Sequence, residues 1–152
     1  MITEAELYLA LRRLQQIGEQ HAKRLGRRTG LTPLQLLVLR AIPELGAATI
    51  GQLAARLNLS QATLTTVLDR MEERGLLQRV RDQDDRRKVR LLLSEAGREQ
   101  SAAEPALLPE GFMARFSALS EWERQQLYAA LLRLGMLMDE TPPTETASRG
   151  HG

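Results

Sequence analysis

Four hydroxyl residues in this chain are each followed, three positions later, by Glu or Gln: Thr3-Glu4-Ala5-Glu6, Thr32-Pro33-Leu34-Gln35, Thr49-Ile50-Gly51-Gln52 and Ser120-Glu121-Trp122-Glu123. This spacing is the capping box. The hydroxyl accepts a hydrogen bond from the third helical amide while the Glu or Gln side chain reaches back to the cap amide, so two otherwise orphaned donors are satisfied at once. Pro33 strengthens the second box, because the first helical position needs no N–H. Ser60 and Ser94 are further caps without the reciprocal partner. Six starts predict six helices, which leaves little room for anything but a mainly α fold.

Apolar spacing agrees with these starts. Leu7, Leu11, Leu14 and Ile17 form a stripe on the first helix, and Leu127, Leu131, Leu134 and Met138 form one on the last. Ile50, Leu53, Ala54 and Leu57 mark a short third helix, and Leu64, Val67, Leu68 and Met71 a fourth. The second helix, from Pro33 to Ile42, is apolar nearly all round and is expected at the centre of the core. Pro105, Pro109 and Gly111 interrupt the fifth, which is expected to kink or break there. Gly75 is placed to close the fourth helix. Beyond it, Leu77 to Arg81 and Val89 to Leu93 read as two short strands joined by a charged loop. The segment from Thr141 is small, polar and proline-rich, the composition of a disordered tail.

The loop between the strands and the start of the second strand read DQDDRRKVR, with three acids in the first four places and four bases in the next five. Residues 1–94 carry 16 basic and 10 acidic groups, against 5 and 9 in residues 95–152, so the basic half is expected to face a polyanion. Residues 49–74 have the form of a helix-turn-helix, with Asn58 tolerating the left-handed conformation of the turn. With Leu64, Val67, Leu68 and Met71 turned inward, the fourth helix presents Gln61, Ala62, Thr63, Thr65, Thr66, Asp69 and Arg70. Gln suits an adenine edge, Ala or a Thr methyl suits a thymine methyl, and Arg reaches phosphate or guanine. The hairpin tip, with Asp85, Arg86, Arg87, Lys88 and Arg90, would then meet the adjacent backbone or minor groove, whose negative potential attracts arginine. The acids are expected to orient those arginines, with Asp85 as the partner of Arg86.

Other chemistries find little support. Cysteine is absent, so disulfides, cysteine-bound zinc and thiol redox sensing are excluded. The two histidines, His21 and His151, stand far apart. No nucleophile–base pair, metal cluster or glycine-rich phosphate loop is present, so no catalytic residue, metal or cofactor is expected. Without a long apolar run or a charged-then-apolar leader, a cytoplasmic protein with no membrane partner is the expectation.

Taken together, the stretch ATIGQLAARLNLSQATLTTVLDRMEERGLLQRVRDQDDRRKVRLLLSEAGRE resembles the MarR family of bacterial winged-helix regulators. The family's wing pattern, D-x-R-x5-L-T, maps onto Asp85-Arg86-Arg87 and then Leu93-Ser94, with Ser replacing Thr in a capping position. The resemblance implies a winged helix-turn-helix at residues 32–94. It also implies an N-terminal dimerisation helix at 1–31, C-terminal dimerisation helices at 95–140 and a tail at 141–152. It implies a homodimer on double-stranded DNA, reading a palindromic operator and acting as a repressor, with a small anionic or phenolic effector as a further ligand of unknown identity. For an anion, His21, Lys23, Arg24, Arg27 and Arg28 near the end of the first helix are the candidates, although a solvated basic patch, or phosphate contacts, is the favoured reading of such a charge run. The other reading of the whole is a winged-helix module that binds protein rather than DNA.

Overall fold

The computed structural model of the chain describes residues 1–45 and 47–139, so the expected tail at 141–152 lies outside the described residues. Contacts along the chain separate two compact units, one ending at Glu110 and the other starting at Gly111.

The first unit contains α1 (Glu4–Thr29), α2 (Pro33–Leu45), β1 (Ala47–Ala48), α3 (Ile50–Arg56), α4 (Gln61–Glu73), β2 (Leu77–Arg81), β3 (Val89–Leu93) and α5 (Glu95–Ala102). All three of its capping boxes form: Thr3 with Glu6, Thr32 with Gln35, and Thr49 with Gln52 each exchange both bonds at 2.8–3.2 Å. Ser60 and Ser94 each accept from the amide three residues on, at 3.0 Å. Helix α2 is central as expected, burying Leu36, Val38, Leu39, Ala41 and Ile42. Leu53 of α3, Leu64, Leu68 and Met71 of α4, and Leu77 of β2 close around it into one core.

The hairpin has the expected strands and a clean antiparallel register, from Leu77 opposite Leu93 to Arg81 opposite Val89. A third strand, β1, adds to the other edge of β3, giving the order β1-β3-β2. Two residues cannot show an alternating pattern, so β1 left no trace in the hydropathy.

Helix α5 stops at Ala102, and Glu104 then takes a positive φ of 41°. The fifth helix therefore breaks where the prolines required it to. The segment that follows is held by side chains of α1 and α2: Arg40 donates to the Pro105 carbonyl, and His21 Nε2 lies 3.0 Å from the Ala106 carbonyl.

The second unit holds α6 (Phe112–Ser117) and α7 (Glu121–Met138). Ser120 and Glu123 complete the fourth capping box. Counting starts gave six helices, whereas the described residues form seven. The extra one, α6, begins at Gly111, which has a φ of 72° and no side chain with which to cap. No helix among the described residues is long and apolar enough to cross a membrane.

Candidate nucleic-acid interface

The turn between α3 and α4 is built by backbone hydrogen bonds. Asn58 takes a φ of 53°, and its amide donates to Ala55 at 3.2 Å while the Leu59 amide donates to Ala54 at 2.8 Å. This is the Schellman arrangement, which satisfies the last carbonyls of α3 and turns the chain sharply. Ser60 then caps α4 immediately, so only four residues, Leu57 to Ser60, separate the two helices. A second turn of the same kind ends α4: Gly75 at φ 69° donates to Glu72 at 2.9 Å, and Leu76 donates to Met71 at 3.0 Å.

With Leu64, Leu68 and Met71 buried, α4 exposes Gln61, Ala62, Thr63, Thr66 and Arg70, while Thr65 is half-buried. The Thr66 hydroxyl donates to the Ala62 carbonyl at 3.0 Å, and the Thr63 hydroxyl accepts from Ser60 at 2.7 Å. Thr63 thus belongs partly to the cap. Asp69 is already engaged. It accepts from Arg79 of β2, whose guanidinium also binds Glu72 through Nε at 3.0 Å and through the terminal nitrogen at 2.8 Å. The Arg79 amide donates to Glu72 as well, at 3.1 Å. These bonds hold the Glu72 carboxyl below its ordinary range, led by the Arg79 amide, and raise Arg79 in turn, led by Asp69. The result ties the wing to the helix beside it. Sequence reasoning missed this clamp, although its signal was present: Asp69 and Glu72 share a helix face, and Arg79 shares the inward register of Leu77.

At the tip, the acids do two jobs. Asp82 Oδ1 accepts from the amides of Asp84 at 2.9 Å and Asp85 at 3.1 Å, folding the loop about one side chain. Asp82 also faces Arg90 at 3.9 Å. Asp85 accepts from both the amide and the Nε of Arg87, at 3.0 and 3.3 Å. The expected pairing of Asp85 with Arg86 is therefore corrected to Arg87, because an aspartate bonds most readily to the residue two places on. Arg86 is exposed and pairs with no described residue. Lys88 is half-buried, its amide closing the loop onto the Asp85 carbonyl at 2.9 Å.

The Asp82 carboxyl is held below its ordinary value, first by the Asp85 amide, then by the Asp84 amide, with Arg90 and Lys88 adding to them. A carboxyl lower in the folded state contributes order that is complete above its unfolded value, about 4, and is lost as pH falls through the depressed folded value. The side-chain carboxyl carbon resonance of Asp82 is therefore expected to titrate below the ordinary aspartate range. A midpoint at the ordinary aspartate value would remove Asp82 as the hub of the loop.

Of the α1 candidates, His21, Arg24, Arg27 and Arg28 line a cavity of about 580 Å³ together with Glu104 and Glu110, whereas Lys23 lies outside its lining.

A helix-turn-helix, a clamped wing and a basic tip now stand together in one unit, and residues 31–89 match the family model described as MarR family. The chain is 30% identical over 124 residues to the transcriptional repressor MdtR of Bacillus subtilis, covering 81% of this chain and 79% of MdtR. The chain belongs to the MarR family. The regulator YsmB of the same bacterium is 36% identical over 93 residues, 61% of this chain and 64% of YsmB, so that alignment spans just under two thirds of it. Among solved structures, the transcriptional regulator MOSR of M. tuberculosis in complex with DNA matches with a TM-score of 0.64 and 27% identity, covering 86% of this chain and 95% of that one. As a MarR-family protein, this chain is a DNA-binding transcriptional regulator of the winged-helix class rather than an enzyme.

Proposed function

We propose that the protein is a homodimeric, cytoplasmic repressor that reads each half of a palindromic operator with α4 and grips the flanking minor groove with the wing. The observation that carries this reading is the division of labour at the tip. Asp85 fixes Arg87, Asp82 folds the loop, and Arg86 stays exposed and unpaired, so positive charge is aimed outward from a preordered ribbon. On α4, the amide of Gln61 suits adenine, Ala62 and the Thr66 methyl suit thymine methyls, and Arg70 reaches guanine or phosphate. The cavity beside His21, Arg24, Arg27 and Arg28, which Glu104 and Glu110 also line, is the candidate seat for an anionic effector.

Selection from randomised duplex DNA at two salt concentrations tests this reading. An inverted repeat whose affinity falls steeply with salt supports it, and failure to enrich any sequence would leave the protein-binding reading in its place. On the selected operator, Arg86→Ala and Arg87→Ala are each expected to weaken binding about tenfold and to lower the salt slope by about one. The dimer should stay intact. Unchanged affinity in both variants would take the wing out of the mechanism.

A further inference from the structure

Gly51 lies in the first turn of α3, at a helical position where alanine is favoured over glycine by about 1 kcal/mol. Its backbone needs no glycine, since its φ lies outside the left-handed region. A side chain there would meet something, however. A Cβ on Gly51 would lie 2.9 Å from Nε2 and 3.6 Å from Cδ of Gln61, the first residue of α4. Other helical glycines, Gly18, Gly26 and Gly135, have nothing within 4 Å of the same point. The bare Cα of Gly51 is therefore a seat on which the end of Gln61 rests, and no hydrogen bond from Gln61 to a described residue competes with it.

We infer that Gly51 is a specificity-determining residue, which sets the direction of the Gln61 amide, and hence the base preferred at one position of each half-site, without touching DNA itself. The inference rests on the reading of α4 as the base-reading helix. Its physical basis is the difference between a yielding neighbour and a rigid one. Backbone cannot move aside cheaply, but the end of an exposed glutamine can, so a methyl at residue 51 re-aims the amide and leaves the fold alone. A glutamine pairs with adenine through two hydrogen bonds at once, and a displaced amide loses that bidentate geometry. The neighbouring readers, Thr66 and Arg70, lie beyond the reach of the change.

The test compares base preferences of the wild type, Gly51→Ala, Gln61→Ala and the double variant, selected on randomised duplex DNA, with melting temperatures alongside. Gln61→Ala is expected to erase the preference at one position per half-site. Gly51→Ala should reduce or switch preference at that same position by about fivefold or more and leave the others alone, with the melting temperature unchanged or higher. The double variant should match Gln61→Ala. Asparagine, one methylene shorter, ends short of the seat, so Gly51→Ala should be silent in a Gln61→Asn background.

If Gln61→Ala alters one position and Gly51→Ala leaves it as in the wild type, the inference is overturned while the α4 reading stands. An even loss across all positions in Gly51→Ala would also overturn it, since that would mean α3 and α4 had moved together. No change with Gln61→Ala would overturn the assignment of Gln61 itself.

Discussion

Replacing Gly97 with alanine is expected to destabilise the protein by about 3 kcal/mol and to lower its melting temperature by roughly 10 °C. Helix propensity alone predicts the opposite sign, a gain of about 1 kcal/mol. The clash decides the matter. A Cβ at Gly97 would stand 2.0 Å from the Leu76 carbonyl oxygen and 3.1 Å from its carbon, and that oxygen already accepts from the Ser94 amide at 3.0 Å. The Ser94 hydroxyl binds the adjacent Gly75 carbonyl at 2.6 Å and also caps α5 through the Gly97 amide at 3.0 Å. Leu76 is fixed in turn by the Schellman bond to Met71. Neither side of the contact can give way, so α5 must lift off the junction where α4 ends and the wing both begins and returns. Thermal unfolding followed by far-UV circular dichroism checks this, and a raised melting temperature would show that the junction is loose. Operator affinity is expected to fall with stability, because the same junction anchors the wing stem.

The contrast between Gly97 and Gly51 also shows where sequence legibility ends. Helix starts were readable because a cap and its partner lie three residues apart, so the signal is local and survives without knowledge of the fold. All six expected starts form for that reason. Helix α6 escaped because Gly111 supplies conformation rather than a side chain, and a glycine after two prolines reads as a break and not as a beginning. Strand β1 escaped because its partner, β3, lies some forty residues away and two residues carry no pattern.

At the proposed DNA-facing side, residue types singled out α4 and the hairpin tip, and the pairings within them did not follow from those types. Three acids and four bases at the tip leave many ion pairs open. Only the folded loop shows that Asp82 spends itself on two amides and that Asp85 takes Arg87. The Arg79 clamp joins groups seven and ten residues apart across a turn, so helix face and strand register had to be combined to find it.

Arginine placed in the apolar stripe of either terminal helix is expected to separate the proposed dimer and lower operator affinity by at least about a hundredfold, since two linked half-sites gain 10²–10⁴ over one. Leu14→Arg on α1 and Leu131→Arg on α7 are the variants of choice. In a single chain these positions are 56% and 58% exposed; Leu7 and Ile17 on α1 and Leu127 and Met138 on α7 are exposed as well, while Leu11 and Leu134 between them are half-buried. Monomers seldom leave contiguous apolar faces of this extent open to water. Each leucine fully covered by a second copy contributes about 1.5–3 kcal/mol, enough for a few of them to hold two chains together. A guanidinium in the middle of such a face loses that burial and adds desolvation. Neither residue belongs to the core around α2, so the winged helix should stay folded and should still bind DNA weakly as a monomer. Two bound copies would set the α4 helices one DNA turn apart, about 34 Å, the half-site spacing expected of the proposed inverted-repeat operator. Sedimentation at micromolar concentration reads the assembly and a salt titration on the selected operator reads the affinity. Variants that remain dimeric with wild-type affinity would mean that the exposed leucines serve some other purpose. A wild-type protein that binds its operator as a monomer would remove the two-fold reading altogether.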